Sequence, residues 1–134
     1  MLIVIDILMI TVIHVLRFIE DVRVFDIAFG CVDTNIEIGP GLKIVHQGGV
    51  FLNAQRIGSN VIVYQNVTVG SGASNKDIPI IENDVKLLTG SVIYGNIVIG
   101  KGCVIAPNAA VNKSVEPYSL AGGVPAKIIK RIEK

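Results

Sequence analysis

The chain has 134 residues, carries a net charge of +1 and contains no tryptophan. This length suits one domain. The near-neutral charge and the scarcity of aromatic residues exclude a typical nucleic-acid-binding surface, which needs a basic patch and stacking rings. Two cysteines, Cys31 and Cys103, lie far apart in the sequence. Isolated cysteines are typical of reduced thiols, so we expect a cytoplasmic protein.

The N-terminal segment, residues 1–30, is strongly apolar in its first half. Asp6 and Arg17 interrupt the aliphatic run, and each would be costly inside a lipid bilayer. The segment also lacks the basic start and the small-residue cleavage site of a secretory signal. We therefore predict a helix that packs within the protein's own oligomer, and we do not favour membrane contact.

Aliphatic residues recur at every sixth position from Ile38 onwards. The first block has Ile38, Ile44 and Val50 in this series. The blocks that follow are offset from it by one residue, which predicts a small insertion near Arg56. Their members are Ile57, Val63, Val69, Ile81, Leu87, Ile93, Ile99, Ile105 and Val111. A second series of small or aliphatic residues lies four positions behind the first: Leu42, Gly48, Ala54, Val61, Val67, Val85, Ser91, Ile97, Cys103, Ala109 and Val115.

Residues 70–79 separate two of these blocks and consist largely of turn-forming residues, so we predict an exposed loop there. A period of six belongs to neither an α-helix nor a β-strand. It fits triangular coils in which each hexad supplies a short strand and a corner, with aliphatic residues stacked inside. The predicted fold is all-β: a parallel β-helix over residues 31–118 with about four coils, followed by a C-terminal tail over residues 119–134.

Apolar residues also fall at positions that should face outward from the coils. A monomer that exposed all of them would carry a large apolar patch, so we predict that a second subunit covers a flat face, in a closed cyclic arrangement. These residues are Leu88, Val92, Tyr94, Val98 and Val104.

Five motifs between residues 28 and 130 carry a resemblance to a known family. They are Ile38-Gly39-Pro40-Gly41-Leu42, His46-Gln47-Gly48-Gly49, Ile57-Gly58-Ser59-Asn60-Val61, Tyr64-Gln65-Asn66-Val67-Thr68-Val69-Gly70 and Ala121-Gly122-Gly123-Val124-Pro125-Ala126-Lys127. Together they resemble the serine acetyltransferase-like branch of the bacterial hexapeptide transferases. That branch also includes O-acetyltransferases of polysaccharide pathways.

The resemblance implies a left-handed coil, a homotrimer and acetyl-CoA as co-substrate in the groove between neighbouring prisms, with no metal. It implies contacts to the donor around Thr89 and Pro107 and in the segment from Gly122 to Lys127. Lys127 and Lys130 belong to a small basic tail, which is either a solubilising C-terminus or a pair of contacts to the CoA phosphates.

The resemblance also implies a histidine base at His46 with a carboxylate beside it. Glu37 occupies the matching place, although the sequence does not separate it from Asp33. The residues themselves favour His46 as well, because a hydroxyl needs a general base to attack a thioester and His14 lies outside the repeat. The oxyanion of the tetrahedral intermediate also needs a donor, for which a main-chain amide in residues 70–72 is a candidate.

The acceptor is a hydroxyl group, for which two interpretations remain. Family members that acetylate serine carry an Arg-His pair before the proline that ends the loop, whereas this chain has Asp77 and Ile78 before Pro79. Asp77 would repel a carboxylate-bearing acceptor, so we favour a sugar or glycan-precursor hydroxyl, with serine as the alternative. Two further hypotheses are an aminosugar N-acetyltransferase and a non-catalytic assembly module. A zinc enzyme is not favoured, because a catalytic zinc site of this kind needs three histidine ligands and the chain has two histidines.

Overall fold

A computed structural model describes residues 3–5, 31–32, 35–46 and 48–133 of the chain. Within these ranges no helix is long and apolar enough to cross a lipid bilayer. The strands, in chain order, are β1 (Ile3–Ile5), β2 (Cys31–Val32), β3 (Glu37–Ile38), β4 (Leu42–Ile44), β5 (Phe51–Leu52), β6 (Arg56–Ile57), β7 (Ile62–Val63), β8 (Thr68–Gly70), β9 (Ile80–Ile81), β10 (Lys86–Leu87), β11 (Val92–Tyr94), β12 (Val98–Ile99), β13 (Val104–Ile105), β14 (Ala110–Val111), β15 (Ser119–Gly122) and β16 (Lys127–Arg131).

These strands form three sheets, which we call A, B and C. Sheet A has the order β1-β4-β7-β10-β13-β15-β16, sheet B the order β2-β5-β8-β11-β14 and sheet C the order β3-β6-β9-β12. From β2 to β11 each strand pairs in parallel with the strand three places later in the chain. The chain therefore visits sheets B, C and A in turn, which confirms the predicted parallel β-helix.

The two interlocked series supply the core. From Ile57 to Val115 every member of both series is buried. In the parallel sheets Ile93, for example, pairs with Val69 on one side and Val111 on the other, so members of one series stack directly on each other. Removing these aliphatic side chains from water is the main stabilising contribution to such a coil.

The one-residue offset between the first block of the repeat and the later blocks does not come from a single insertion near Arg56. Leu52, not Val50, occupies the strand position, because Leu52 pairs with Val69 in sheet B. Val50 is buried two positions earlier, level with Val67 of the next coil. The turn between β4 and β5 has six residues and the turn between β5 and β6 has three, whereas four is usual. The predicted single insertion near Arg56 is therefore wrong.

Antiparallel strands close sheet A at both ends. Strand β1 pairs antiparallel with β4, so the predicted N-terminal helix is wrong at Ile3–Ile5, and the rest of residues 1–30 lies outside the described residues. Strand β15 pairs in parallel with β13, and β16 folds back antiparallel onto β15. The first residues of the tail predicted from residue 119 thus continue sheet A, and Ala121 is buried in the core.

Candidate functional site

One edge of the prism gathers most of the predicted site residues. It consists of the turns that leave a strand of sheet A and enter sheet B, which are residues 45–50, 64–67, 88–91 and 106–109. We call this the A/B edge. Near the C-terminus, Gly123 and Ala126 continue it, because the Ala110 amide donates to Gly123 O at 3.0 Å and the Ala126 amide donates to Ala110 O at 2.9 Å.

His46 lies in an insertion in the first of these turns. The amides of Val45 and Tyr64 occupy equivalent positions, since each donates to the carbonyl of a strand residue one coil later. Gly48 and Gln65 are equivalent as well, because their carbonyls accept from Asn66 and Gly90 respectively. Tyr64 and Gln65 are adjacent, whereas His46 and one more residue separate Val45 from Gly48. The two added residues of the turn therefore include His46, whose side chain is exposed.

The His46 ring contacts one aromatic ring from the next coil. Its centroid lies 6.3 Å from that of Tyr64, and the two planes are inclined by 64°, which is an edge-to-face arrangement. Tyr64 is half-buried. The sequence reasoning missed this contact, and the signal that could have found it is the place of Tyr64 directly after strand β7, equivalent to Val45 after β4.

The predicted carboxylate partner of His46 is not joined to it within one protomer. Glu37 is exposed on β3, in sheet C, whereas His46 lies between sheets A and B. Among the described residues three ion pairs form, and none of them links Glu37 to His46. Asp33, the other candidate, lies outside the described residues.

Thr89 and Pro107 share the A/B edge with His46. The Thr89 carbonyl accepts from the Asn108 amide at 2.9 Å, directly beside Pro107. Thr89 is half-buried and Pro107 is exposed. Because neighbouring strands in a sheet are about 4.8 Å apart, the turns of Thr89 and Pro107 lie roughly 10 Å and 14 Å along the edge from the turn of His46.

The predicted C-terminal contacts lie at the far end of this edge. Gly122 is buried in β15, and it pairs with Lys127 at the start of β16. Lys127 and Lys130 are exposed. Arg131 differs from them, because it forms an ion pair with Glu116.

Residues 70–79 lie on a different edge. They leave β8 in sheet B and enter β9 in sheet C, and the Gly72 amide donates to Asp77 O within the loop at 2.8 Å. Residues 70–72, which the sequence suggested as an oxyanion donor, are therefore separated from His46 within one protomer. Asp77 is half-buried in the same loop.

Comparisons with known proteins point to one group. Residues 78–113 match the family model for the bacterial transferase hexapeptide, six repeats. The chain is 36% identical over 100 residues to a serine acetyltransferase of Buchnera aphidicola, an alignment that covers 72% of this chain and 38% of the relative. The chain thus spans less than half the length of that relative.

Solved structures agree in fold as well as in sequence. A Neisseria gonorrhoeae serine acetyltransferase in complex with serine superposes with a TM-score of 0.72 at 28% identity, covering 81% of this chain and 44% of that one. A serine acetyltransferase in complex with CoA gives a TM-score of 0.71 at 30% identity, with coverage of 81% and 44%. By its repeat, its sequence and its coil, this chain is similar to the serine acetyltransferases among the hexapeptide-repeat transferases.

Proposed function

We propose that this protein transfers an acetyl group from acetyl-CoA to a hydroxyl group, with His46 as the general base. The observation that carries the proposal is the shared A/B edge: an inserted, exposed histidine stands in line with Thr89, Pro107 and Gly122. An imidazole is the side chain best suited to accept and return a proton near neutral pH.

The chemistry proceeds through a tetrahedral intermediate. The acceptor hydroxyl loses its proton to His46 as its oxygen bonds to the thioester carbonyl carbon. The carbonyl electron pair moves to oxygen, and when it returns the carbon–sulfur bond breaks. The leaving thiolate takes the proton from the His46 imidazolium, so the products are the acetyl ester and free CoA with a neutral histidine restored.

The acetyl-CoA site follows the same edge. In this proposal the pantetheine arm of acetyl-CoA is contacted by Thr89, Pro107 and the segment from Gly122. The phosphates at the other end of acetyl-CoA are contacted by Lys127 and Lys130. Two facts support it: the residues lie in line with His46, and a related structure was solved with CoA bound. No metal is part of this scheme.

The active assembly is proposed as a homotrimer of left-handed coils in the cytoplasm. Val92, Tyr94 and Val98 support it, because these large apolar side chains are each more than a third exposed in a single protomer, at 37%, 38% and 38%. Glu37 on sheet C forms no ion pair with the His46 of its own protomer among the described residues, so its proposed role in orienting His46 depends on the trimer.

The comparisons favour serine over a sugar hydroxyl as the acceptor. The related proteins are named serine acetyltransferases, and one was solved with serine, whereas nothing in the comparisons supports the polysaccharide preference. We therefore propose serine as the first acceptor to test. This chain has Asp77 where serine-acetylating family members carry the Arg-His pair, and a carboxylate-bearing acceptor bound beside it would meet a like charge. Sugar hydroxyls therefore stay in the test as the second candidate.

The test measures release of free CoA thiol with serine, sugar hydroxyls and amines as acceptors. We expect His46→Ala to lower kcat by about 10²–10⁴-fold, the usual contribution of a general base. Lys113→Ala, at an exposed position beyond β14, is the control and should keep native activity. Unchanged activity in His46→Ala would eliminate the base assignment, and no transfer by the native protein to any acceptor would eliminate the enzyme.

A further inference from the structure

A single row of side chains crosses the outer face of sheet A. From β4 to β15 each member of the row is followed by a buried core residue, so the row itself points away from the core. Strand pairing carries it across six neighbouring strands. In order across the sheet, its members are Lys43, Ile62, Lys86, Val104, Leu120 and Lys130. We call this the sheet A row. It combines three lysines with three aliphatic residues and contains no carboxylate.

The lysines of the sheet A row form no ion pair among the described residues. The turns that border sheet A contain three carboxylates, and each of them already pairs with a cation outside the row. The pairs are Glu82 with Arg56, Asp84 with Lys101 and Glu116 with Arg131. The positive charge of the row is therefore left for a partner from outside the protomer.

The dimensions of the row suit an extended surface. Neighbouring strands are about 4.8 Å apart, so Lys43 and Lys86 are separated by about 10 Å, and Lys130 lies about 14 Å beyond Lys86. Lys86 and Lys130 are exposed, and the aliphatic members between them are half-buried. Lysine keeps its ammonium group in a polar layer while its stem and its aliphatic neighbours contact apolar material. An anionic bilayer offers both environments over a plane, with phosphates above the acyl chains.

We propose that the outer face of sheet A docks on the surface of an anionic lipid bilayer. The ammonium groups of the sheet A row contact lipid phosphates, and its aliphatic side chains contact the boundary between headgroups and acyl chains. The exposed apolar side chains that support the homotrimer lie on sheets B and C, which leaves sheet A for a different partner. The contact is peripheral, needs no part of the N-terminal segment, and is independent of the proposed acetyl transfer.

The test compares two double variants that lose the same charge. Lys43→Gln, Lys86→Gln removes two lysines of the sheet A row and leaves the strand of the proposed donor site intact. Lys76→Gln, Lys113→Gln removes two exposed lysines from the opposite side of the prism. Lys76 lies in the loop of residues 70–79, and Lys113 follows β14, so both lie between sheets B and C.

The probes are vesicles of phosphatidylglycerol mixed with phosphatidylcholine, and vesicles of phosphatidylcholine alone. Cosedimentation measures the bound fraction, light scattering the oligomeric state and a thermal scan the folding of each variant. We expect the native protein to bind the anionic vesicles, to release them as salt is added, and to leave the neutral vesicles unbound. One lysine near an anionic surface contributes about fivefold in partitioning, so the variant of the sheet A row should bind about 10–30-fold more weakly. The control variant should stay within about threefold of native.

Val104→Thr tests the aliphatic part of the contact without a change in charge. It keeps the shape of the side chain and replaces one methyl group by a hydroxyl, which should weaken binding by about threefold or more. Native binding in this variant, or equal losses in the two double variants, would overturn the proposal in favour of charge alone. Tighter binding of the native protein to polyglutamate than to anionic vesicles would overturn it in favour of an acidic protein. A changed oligomeric state in the variant of the sheet A row would also overturn it, because the face would then lie between copies of this chain.

Discussion

The Tyr64 and His46 rings meet in an edge-to-face arrangement with their centroids 6.3 Å apart, and Tyr64 is the half-buried member of the pair. His46 is exposed on an inserted turn, so this contact restricts where the imidazole can point. An edge-to-face pair of rings contributes about 0.5–1.5 kcal/mol. Tyr64 is therefore a positioning residue for the proposed base.

Replacing Tyr64 tests that role. We expect Tyr64→Leu to lower kcat by roughly 2–10-fold while KM for acetyl-CoA stays native, because the contact restrains the base and not the donor. Tyr64→Phe keeps a ring and should retain nearly native kcat. Steady-state kinetics on the three proteins decide the matter, and a Tyr64→Phe variant as slow as Tyr64→Leu would argue for the hydroxyl instead.

Ser91 places an unpaired hydroxyl in the core. It is fully buried between the layers of Val67 and Ala109, and its Oγ has no hydrogen-bond partner among the described residues. A buried polar group without a partner costs about 1–3 kcal/mol. We expect Ser91→Ala to raise the free energy of unfolding by about 1 kcal/mol, as measured by urea denaturation.

Ser119 is the matched control for Ser91. It is also fully buried, but its Oγ donates to Pro117 O at 3.4 Å. Ser119→Ala should therefore lower the free energy of unfolding, by about 0.5–1.5 kcal/mol. If both alanine variants are destabilised to the same degree, the Ser91 hydroxyl is satisfied in solution and the interpretation fails.

Much of the core could be predicted from the sequence, because stacking in a coil repeats one environment every hexad. Ile81, Leu87 and Ile93 are buried as their spacing predicts. The insertion was predicted near Arg56 and not beside His46, because a period records only the net shift between blocks. The turn before β5 has two extra residues and the turn after it has one fewer, so the net offset is one residue, the same as for a single insertion. Val50 and Leu52 are both aliphatic, so hydrophobicity does not show which of them occupies the strand position.

The periodicity could not predict which residues of different sheets lie close together. Glu37 and His46 are close in the sequence, but a change of sheet separates them, and no repeat records which edge a side chain occupies. Strands β1 and β16 carry no hexad signal, because their conformation follows from pairing with the open edges of sheet A. The shared edge of His46, Thr89 and Pro107 does follow from spacing, once the sheets are known.

Gly49 should tolerate substitution poorly for conformational reasons. Its φ is 66°, and a Cβ would overlap Asn66 Oδ1. An L-residue in this region costs about 1–2 kcal/mol before any overlap is counted. We expect Gly49→Ala to lower the free energy of unfolding by at least that amount, whereas Gly70→Ala should cost less, since a Cβ at Gly70 meets no atom within 4 Å. Chemical denaturation of both variants provides the comparison, and equal losses would contradict it.

Ionisation of the Cys103 thiol makes the free energy of unfolding depend on pH in the alkaline range. Burial raises the pKa of its thiol, and Sγ donates to Glu116 O at 3.0 Å. The folded protein therefore keeps the thiol proton to higher pH than the unfolded chain. Between the two pKa values the folded state binds more protons, so its stability falls as the pH rises from the ordinary thiol value towards the raised one.

Comparison with Cys103→Ala isolates this effect. Under reducing conditions, the free energy of unfolding should fall more steeply between pH 8 and 10 for the native protein than for the variant, the interval in which thiols ionise. Cys31 is present in both proteins, so its contribution cancels. Parallel pH profiles would show that Cys103 ionises equally in the folded and unfolded states.

Lys127 and Lys130 should govern affinity for the charged end of the donor. Both are exposed on β16, whereas neighbouring Arg131 is paired with Glu116 and also donates to Pro117 O at 3.4 Å. The two lysines are thus the cations of this strand that remain available for phosphates. An exposed ionic contact contributes up to about 1 kcal/mol, so Lys127→Gln and Lys130→Gln should each raise KM for acetyl-CoA by up to about fivefold, with native kcat.

Salt provides the second readout for the lysines. Added salt screens exposed charges, so KM of the native protein should rise with ionic strength, and it should rise less in the Lys127→Gln, Lys130→Gln double variant. Lys101→Gln removes an exposed lysine that pairs with Asp84 on another edge, and it should keep the native KM and salt dependence. If Lys101→Gln raises KM for acetyl-CoA as much as the β16 variants do, the effect comes from net charge and not from phosphate contacts on β16.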